Sequence, residues 1–358
     1  MEISSNKINK VLLLCIVSLI AAVSSCKKDD KNPPKSVAPV VSGPYLYVAG
    51  AVNDKGVYWK TSLSATTANA VADTLKNANT IYSLITSGKD VYVAGQTGGY
   101  YKNDVFVPVT GATGIQYLAL SGTTVFAAGA DNTASMSYWQ GNTEISLGNT
   151  IASPLFTAPG TSVLGLSGIA VSGSKIFVTG KLFYEKQYGA APNARQGSFG
   201  TLWTNDGLQL YGTGQLVSAY YNSTTGIALV GNDVYVAGSM PDSTYAGGYW
   251  KNGTFNSINN GSFGSTSITS SGSDVYITGY TYVRAAGTYS QRGAYWKNGT
   301  LISFPSASST TAIGVSGTDV YILGIDTNNN NVVWKNGTVF ETLGSGFTQT
   351  AVCLAVGE

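Results

Sequence analysis

One strand pattern recurs seven times between residues 46 and 324, and this repetition constrains the fold more than any other feature of the sequence. Each copy is an apolar run that ends in glycine, as at residues 46–50 and 91–95. The seven copies end at Gly50, Gly95, Gly129, Gly180, Gly238, Gly279 and Gly324. Successive glycines lie 34 to 58 residues apart, close to the roughly 40 to 50 residues typical of one unit in a circular repeat array. Such a period predicts one supersecondary unit per copy, stacked on its neighbours.

A second element follows each apolar run and is intact as Tyr-Trp-Lys-Asn-Gly-Thr at residues 249–254 and 295–300. Asn-Gly between two apolar strands is a strong hairpin signal, because both turn positions need positive φ. All six tryptophans occupy one position of this element, and Tyr101 replaces the seventh. We expect these aromatic side chains to pack between repeats. Four aspartates precede the glycine-terminated strand and are interpreted as turn residues that bond backbone donors: Asp90, Asp233, Asp274 and Asp319.

Four strands, A to D in chain order, can be assigned to each repeat. Strand B ends in the repeated glycine, strand C carries the Tyr-Trp motif, strand D follows the Asn-Gly turn, and strand A leads into the next strand B. Four-stranded sheets of this kind must stack to cover their apolar faces. The pattern therefore predicts an all-β, seven-bladed β-propeller with four antiparallel strands per blade over residues 44–358.

Closure of this ring depends on which segment supplies the inner strand of blade one, since the chain enters the ring at a B strand. Residues 350–356 resemble an A strand with no B strand after it, so the C-terminal strand is predicted to close the ring and to cover an open edge. Residues 40–43 also resemble the end of an A strand, and only one of the two segments can occupy the position.

The N-terminal segment has the three parts of a signal peptide, predicted at residues 1–25. Lys7 and Lys10 precede an apolar run at residues 11–23, and a small-residue site, Ser24-Ser25, follows. The run is shorter than the roughly 20 apolar residues of a membrane span. Residues 23–26 resemble the bacterial lipobox, which implies that Cys26 is diacylated and anchors the chain in a membrane. Residues 26–43 are then a lipidated flexible tether.

Composition excludes several classes of function. The sequence contains no histidine, which removes Ser-His-Asp and Cys-His catalysis and the commonest metal ligand. Residues 26–358 carry 18 basic and 17 acidic groups, so the clustered positive charge that nucleic acids require is missing. Cys353 stands alone once Cys15 and Cys26 are assigned to the leader and the lipid site, which leaves no intrachain disulfide. No helix pattern follows the glycines, so we expect no phosphate loop, no cofactor and no metal.

The copies differ mainly in the loops of one face. Long B–C segments lie in blades four, five and six, at residues 181–200, 239–248 and 280–293, and long D–A segments in blades one and three, at residues 67–79 and 148–165. Long loops on one face of a rigid scaffold often carry function, although they also need aromatic side chains to pack down. The candidate ligand-binding residues are the three arginines of the chain and nearby tyrosines: Arg195, Arg284, Arg292, Tyr184, Tyr188, Tyr245, Tyr282 and Tyr289.

No catalytic residues are predicted, but an enzyme acting on glycans is the alternative. Its carboxylates would be Glu185 and Asp242, which lie on different loops and have no spacing that pairs them as acid and base. Residues 242–244 and 73–75 resemble instead the short O-glycosylation sequon of Bacteroidota.

The lipobox, the tether and the Tyr-Trp-Lys-Asn-Gly repeats together resemble the repeat-propeller surface lipoproteins of Bacteroidota. Residues 27–30, Lys-Lys-Asp-Asp, are similar to the export signal of such lipoproteins, although any soluble tether is charged. The resemblance implies an exported outer-membrane lipoprotein exposed at the cell surface. The expected function is a binding or scaffold protein that engages a glycan or another envelope protein through the long-loop face, with the membrane as a further partner through its anchor and with no nucleic acid.

Overall fold

The computed structural model describes residues 43–357, except for residues 65–70, 96, 148–161, 188–193, 212–222, 241–245, 286–287, 304–305 and 345–348. The chain divides into two compact units, Met1–Ser42 and Gly43–Glu358, and all described elements belong to the second. These elements are twenty-seven β-strands. Among the described residues, no helix has the length and hydropathy needed to cross a membrane.

The strands of the first four blades follow the predicted order along the chain. Blade one contains β1 (Tyr45–Val52), β2 (Lys55–Ser62), β3 (Val71–Thr74) and β27 (Gln349–Gly357). Blade two contains β4 (Ile81–Ser87), β5 (Asp90–Gly95), β6 (Gly99–Lys102) and β7 (Val105–Pro108). Blade three contains β8 (Ala112–Ser121), β9 (Thr124–Asp131), β10 (Met136–Gln140) and β11 (Thr143–Ser146). Blade four contains β12 (Ser162–Ser172), β13 (Lys175–Gln187), β14 (Ala194–Thr204) and β15 (Gly207–Tyr211).

Blades five and six share one strand. Blade five contains β16 (Ser223–Val230), β17 (Asp233–Met240), β18 (Ala246–Lys251) and the first half of β19 (Thr254–Ser271). Blade six contains the second half of β19 with β20 (Asp274–Ala285), β21 (Thr288–Lys297) and β22 (Thr300–Ser303). Blade seven contains β23 (Ala307–Ser316), β24 (Asp319–Asp326), β25 (Asn331–Lys335) and β26 (Thr338–Gly344). The predicted seven-bladed β-propeller with four antiparallel strands per blade is confirmed.

The C-terminal strand closes the ring. β27 pairs antiparallel with β1, with Tyr45 opposite Gly357 and Ala49 opposite Cys353. The sheet order is β27-β1-β2-β3, so β27 is the inner strand of blade one. The prediction that residues 350–356 fill this position is confirmed, and the alternative from residues 40–43 is wrong. Gly43 lies in a bend before β1.

The core lies between blades rather than within them. Seven clusters of buried apolar residues each join two neighbouring blades in the described part of the ring. Trp139 of blade three packs with Tyr92 of blade two, and Trp334 of blade seven packs with Tyr276 of blade six. Both tryptophans are completely buried. The predicted packing role of the aromatic motif is confirmed, because large aromatic side chains contribute the most buried area.

The repeated position of strand B is glycine because strand A approaches it too closely for a side chain. In blades two to seven strand A carries a β-bulge at this level, and a bulge bends the strand locally. A Cβ added to the glycine would collide with a backbone carbonyl oxygen of strand A. This holds for Gly95 against Thr80, Gly129 against Gly114, Gly180 against Gly165, Gly238 against Ser223 and Gly324 against Ser309.

The aspartate before strand B belongs to a cluster with the Lys-Asn of the C–D turn. In blade seven, Asp319 accepts hydrogen bonds from Lys335 Nζ at 2.7 Å and from Asn336 Nδ2 at 2.8 Å. Asn336 has a φ of 49° and accepts the Val320 N–H at 2.9 Å through Oδ1. The same cluster recurs at Asp90, Asp233 and Asp274. The sequence predicted that the aspartate bonds backbone N–H groups of the turn. In the structure the aspartate bonds the lysine and asparagine side chains, and it is the asparagine that bonds the backbone.

Candidate functional site

The long B–C segments of blades four and six are β-hairpins that extend beyond the blades, and not irregular loops. In blade four, β13 and β14 stay in register as far as Gln187 opposite Ala194. In blade six, β20 and β21 stay in register as far as Ala285 opposite Thr288. Strands hold side chains more precisely than loops do. The two hairpins therefore form fixed projections on one face, on either side of blade five.

The other described B–C turns of this face are short. Blade one uses the two-residue turn Asn53-Asp54, with both residues at positive φ. In blade seven the Asp326 carboxylate accepts the backbone N–H groups of Asn328 and Asn330, each at 2.8 Å. These contacts hold the turn tightly and lower the pKa of Asp326, the bond from the Asn330 backbone being the largest cause. Among the described B–C segments, the hairpins of blades four and six are therefore the longest.

The base of the blade-six hairpin is held by a tyrosine pair. Tyr280 lies opposite Gly264 of β19, and its ring covers that glycine so closely that a Cβ there would collide with it. Tyr282 packs edge-on against Tyr280, with ring centroids 5.6 Å apart. Burial raises the pKa of Tyr280, and the neighbouring Tyr282 raises it further. Tyr282 itself is 45% exposed, and the next residue, Val283, is 47% exposed on the opposite face of the strand.

The predicted ligand-binding residues fall into three groups. The side chains of two are described: Tyr282 is exposed, and Arg292 is partly buried at the position opposite Thr281. For four others the structure describes the backbone position, and all four lie on the two hairpins: Tyr184, Arg195, Arg284 and Tyr289. Tyr188, Tyr245 and the lipidation residue Cys26 lie outside the described residues. All three arginines of the chain are thus on the hairpins, and the structure pairs Arg284 with Tyr289.

The enzyme alternative gains no support from this arrangement. Glu185 lies on β13 opposite Gln196, and Asp242 lies outside the described residues. In the described part of the chain no group of three or more His, Cys, Asp or Glu residues comes together as a metal site would require. The hypothesis of a glycan-active enzyme stays a prediction.

Sequence reasoning missed a polar cluster at the same face of blade three. The Asp131 carboxylate accepts the backbone N–H groups of Thr133 and Ser135, at 2.8 and 3.0 Å, and the Ser137 hydroxyl at 3.1 Å. Burial works to raise the pKa of Asp131, but these hydrogen bonds outweigh it and the pKa is lowered. Ser137 Oγ also lies 3.0 Å from Glu144 Oε1. An aspartate directly after an apolar strand, with Thr and Ser two and four residues later, was the available signal.

A cavity of about 1020 Å³ lies on the ring axis. The A strands of all seven blades line it, namely β4, β8, β12, β16, β19, β23 and β27. Each A strand begins after a D–A segment, on the same face as the B–C hairpins, and ends at the A–B turn on the opposite face. One end of the cavity therefore lies at the face from which the hairpins project. Its walls carry Ser, Thr, Tyr, Gly, Ala, Leu and Ile. Sequence reasoning assigned no role to these residues.

Comparison with known proteins identifies the fold and no family. No protein-family model matches the chain, and the search of curated proteins found no match. Among solved structures, the lignostilbene dioxygenase of Pseudomonas brassicacearum is 9% identical with a TM-score of 0.52, over 90% of this chain and 93% of that chain. The β-propeller domain of the Trilobed protease from Pyrococcus furiosus, described as having an open velcro topology, is 12% identical with a TM-score of 0.48, over 85% and 93%.

These similarities concern architecture alone, because identities near 10% do not carry activity between proteins that share a common fold. The described residues between 43 and 357 form a seven-bladed β-propeller closed by its own C-terminal strand.

Proposed function

We propose that this protein is a lipid-anchored binding or scaffold protein of the bacterial cell surface, and that it engages a glycan or another envelope protein at the hairpin face. The observation that carries the proposal is the pair of β-hairpins of blades four and six. They project from one face of the ring, and they bear every arginine of the chain. Arginine and tyrosine are enriched where proteins recognise partners, since both offer contact area and fixed donors.

The rigidity of the blade-six hairpin supports the same role. Tyr280 is packed on Gly264 and supports Tyr282, whose ring is nearly half exposed. An aromatic ring that is already fixed loses little conformational entropy when it contacts a ligand. A hairpin with an ordered aromatic residue, a neighbouring valine and an arginine in register is suited to recognition.

The two hairpins carry a local excess of positive charge that the rest of the chain lacks. Residues 181–200 contain Lys181, Lys186 and Arg195 against Glu185 alone, and residues 280–293 contain Arg284 and Arg292 without any acid. The chain as a whole has a formal net charge of only +2. A local positive excess on a nearly neutral protein favours acidic partners at this face.

The test is a binding experiment with the detergent-solubilised full chain on an array of bacterial glycans and on purified envelope proteins. Replacing Tyr282 and Arg284 together by alanine is expected to weaken binding at least tenfold, because both residues lie on the part of the hairpin that extends beyond the blade. The matched control replaces two exposed apolar residues of outer strands, Leu301 and Val339, and should leave affinity unchanged. Equal affinity of both double variants would overturn the assignment of this face.

Lipid anchoring is tested separately. A clickable palmitate analogue fed to cells that express the chain should label it, and Cys26→Ala should abolish the label. Labelling that survives Cys26→Ala would contradict the anchor.

A further inference from the structure

The six bulge residues of the A strands form a polar collar around the axial cavity. In blades two to seven, the bulge inserts one unpaired residue into strand A. This bulge residue comes directly after the residue that pairs with the repeated glycine of strand B. Bulges re-aim the side chain of the extra residue. The collar consists of Tyr82, Gln116, Ser167, Thr225, Thr266 and Thr311, all polar and uncharged. All of them except Gln116 line the cavity.

The Ser167, Thr225 and Thr266 hydroxyls of this collar bond neighbouring hydroxyls, and Thr311 Oγ1 donates to the backbone oxygen of Leu323 at 3.3 Å. Ser167 Oγ lies 2.8 Å from Thr224 Oγ1 and 3.0 Å from Thr179 Oγ1. Thr225 Oγ1 lies 2.8 Å from Ser265 Oγ. Each hydroxyl has one proton and two acceptor lone pairs, so a hydroxyl that takes part in one such contact can still accept a hydrogen bond. The collar thus offers oriented acceptors to a ligand that carries O–H donors.

An aliphatic ring lies below the collar. Two positions after each bulge residue, toward the A–B turns, the A strand carries Leu or Ile, and blade one supplies the seventh from β27. The ring consists of Leu84, Leu118, Ile169, Ile227, Ile268, Ile313 and Leu354, and all seven line the cavity. The cavity is therefore polar toward the hairpin face and apolar beneath.

Tyr82 is the only collar residue with a large aromatic ring. Its side chain is 38% exposed, whereas Ile81 and Leu84 of the same inner strand are buried and Ile85 is partly buried. A ring that faces an open cavity in this way provides a flat apolar surface with a hydroxyl at its end.

The lining also determines which ligands the cavity excludes. The described residues of the lining include no Asp, Glu, Lys or Arg, and a charged group moved from water into such a site would lose its hydration without gaining a counter-charge. A pyranose ring matches this lining, since it combines an apolar C–H face with a rim of hydroxyls. The volume of about 1020 Å³ is at the upper end of the roughly 300 to 1000 Å³ of ligand pockets.

We propose that the axial cavity is a binding site for the uncharged end of an oligosaccharide, which enters from the hairpin face, bonds the hydroxyl collar and packs on Tyr82 and the aliphatic ring. This inference rests on the proposed function and names the ligand class: the hairpins contact the outer part of a glycan, and the cavity takes its neutral terminal residues.

Isothermal titration of the full chain tests the proposal with defined probes. The neutral probes are linear hexasaccharides of glucose, mannose and xylose, and the charged probe is the galacturonate hexasaccharide. The apolar probe is 1-anilinonaphthalene-8-sulfonate, with decanol as its uncharged counterpart. At least one neutral hexasaccharide should bind. Thr225→Val combined with Thr266→Val should weaken that binding about tenfold, since two hydrogen bonds are lost, and Tyr82→Ala should do so by a similar factor.

The control for the valine pair is Thr338→Val on the exposed outer strand β26, which should change affinity less than twofold. If Tyr82→Ala fails to fold, as shown by its thermal transition, the nearly isosteric valine pair keeps the test valid. The proposal is overturned if no neutral probe binds at millimolar concentration, if the galacturonate probe or decanol binds better than every neutral hexasaccharide, or if the valine pair leaves affinity unchanged.

Hairpin variants separate this inference from the proposed function. Loss of glycan binding in the Tyr282 and Arg284 double variant, with full binding in the valine pair, would retain the hairpin face and refute the cavity site. Loss in the valine pair with full binding in the hairpin variant would support the cavity and refute the hairpins.

Discussion

One small cluster of side chains explains why the Tyr-Trp-Lys-Asn-Gly motif recurs in this chain. In each of four blades it consists of one aspartate, one lysine and one asparagine. The asparagine adopts the positive φ of the C–D turn, and its amide joins the first B-strand N–H to the aspartate. The lysine bonds the same aspartate and lies 5.6 Å from the ring centre of Tyr321 in blade seven. The paired lysine and aspartate side chains are 32–43% exposed, and each contact is weak by itself. Together these contacts hold the start of strand B, the end of strand C and the turn into strand D in one arrangement in each of these four blades.

The pH dependence of stability should reveal these clusters. Hydrogen bonds from the lysine, and then from the asparagine, hold the pKa of Asp90, Asp233, Asp274 and Asp319 below the usual range. A depressed folded-state pKa contributes stability above the pKa of the unfolded chain, and this contribution is lost as pH falls through the folded-state pKa. The quadruple Asp→Asn variant should therefore have a lower urea midpoint than the parent at pH 7, and the difference should shrink below about pH 4.

The control for this experiment is Asp206→Asn. Asp206 lies exposed in the C–D turn of blade four, where Thr204 stands at the lysine position. This change should leave the urea midpoint unaltered at both pH values. A difference between parent and quadruple variant that stays constant from pH 7 to pH 3 would contradict the role given to the carboxylates.

At the scale of the strand, the bulge in strand A and the repeated glycine of strand B act together. In blade two the bulge places Tyr82 in the lining of the axial cavity, and the Thr80 carbonyl oxygen lies against Gly95 of strand B. Buried hydroxyls then join adjacent blades at this level, as when Thr310 Oγ1 donates to Gly279 O at 2.6 Å and Thr224 Oγ1 to Gly180 O at 2.8 Å. The innermost layer of the ring therefore depends on backbone shape as well as on apolar burial.

Blade three offers a matched pair of glycines for a test. A Cβ at Gly129 would collide with the backbone of Gly114 and Ile115, whereas a Cβ at Gly114 would meet nothing within 4 Å. Gly129→Ala should destabilise the chain by about 2 kcal/mol or more, because backbone must move to relieve the clash. Gly114→Ala should change stability by less than about 1 kcal/mol. Chemical denaturation measures both, and equal effects would refute the explanation of the repeated glycine.

The same strands show how far the sequence alone predicts the molecule. Residue period and turn chemistry were sufficient for the blade count, for the Asn-Gly turns and for the packing of the tryptophans, because each depends on local spacing. The bulges were not predicted, since an extra residue such as Thr225 breaks the alternation on which strand assignment relies. The sequence placed the two hairpins correctly but interpreted them as loops. Residues 194–200 contain Gly, Gln and Arg and have no strand-like alternation, so their regular pairing with residues 181–187 is visible only in the structure.

At the scale of the whole molecule, closure of the ring depends on one strand. β27 covers the inner edge of β1, and Leu354 packs in the cluster that joins blades seven and one, with Tyr321 and Leu323. The same interface holds a buried hydrogen bond from Thr61 Oγ1 to Glu341 Oε2 at 2.7 Å. Without β27 this interface would lose its inner layer, and the edge of β1 would be open to other strands.

Truncation after residue 344 tests this closure. The shortened chain should lose the cooperative thermal transition of the parent in calorimetry and should aggregate, since β1 then exposes unpaired backbone groups. A synthetic peptide of residues 349–357 added in excess should restore part of the transition, whereas a peptide of the same composition in scrambled order should not. A shortened chain that unfolds at the parent temperature would show that β27 is dispensable.

The pairing of β1 with β27 also sets the order in which the ring can fold. The partner of the first strand follows every strand of blades two to seven in the sequence, so blade one stays incomplete while those strands are still being synthesised. The ring therefore cannot close early, and it reaches its final geometry only after β27 has been made.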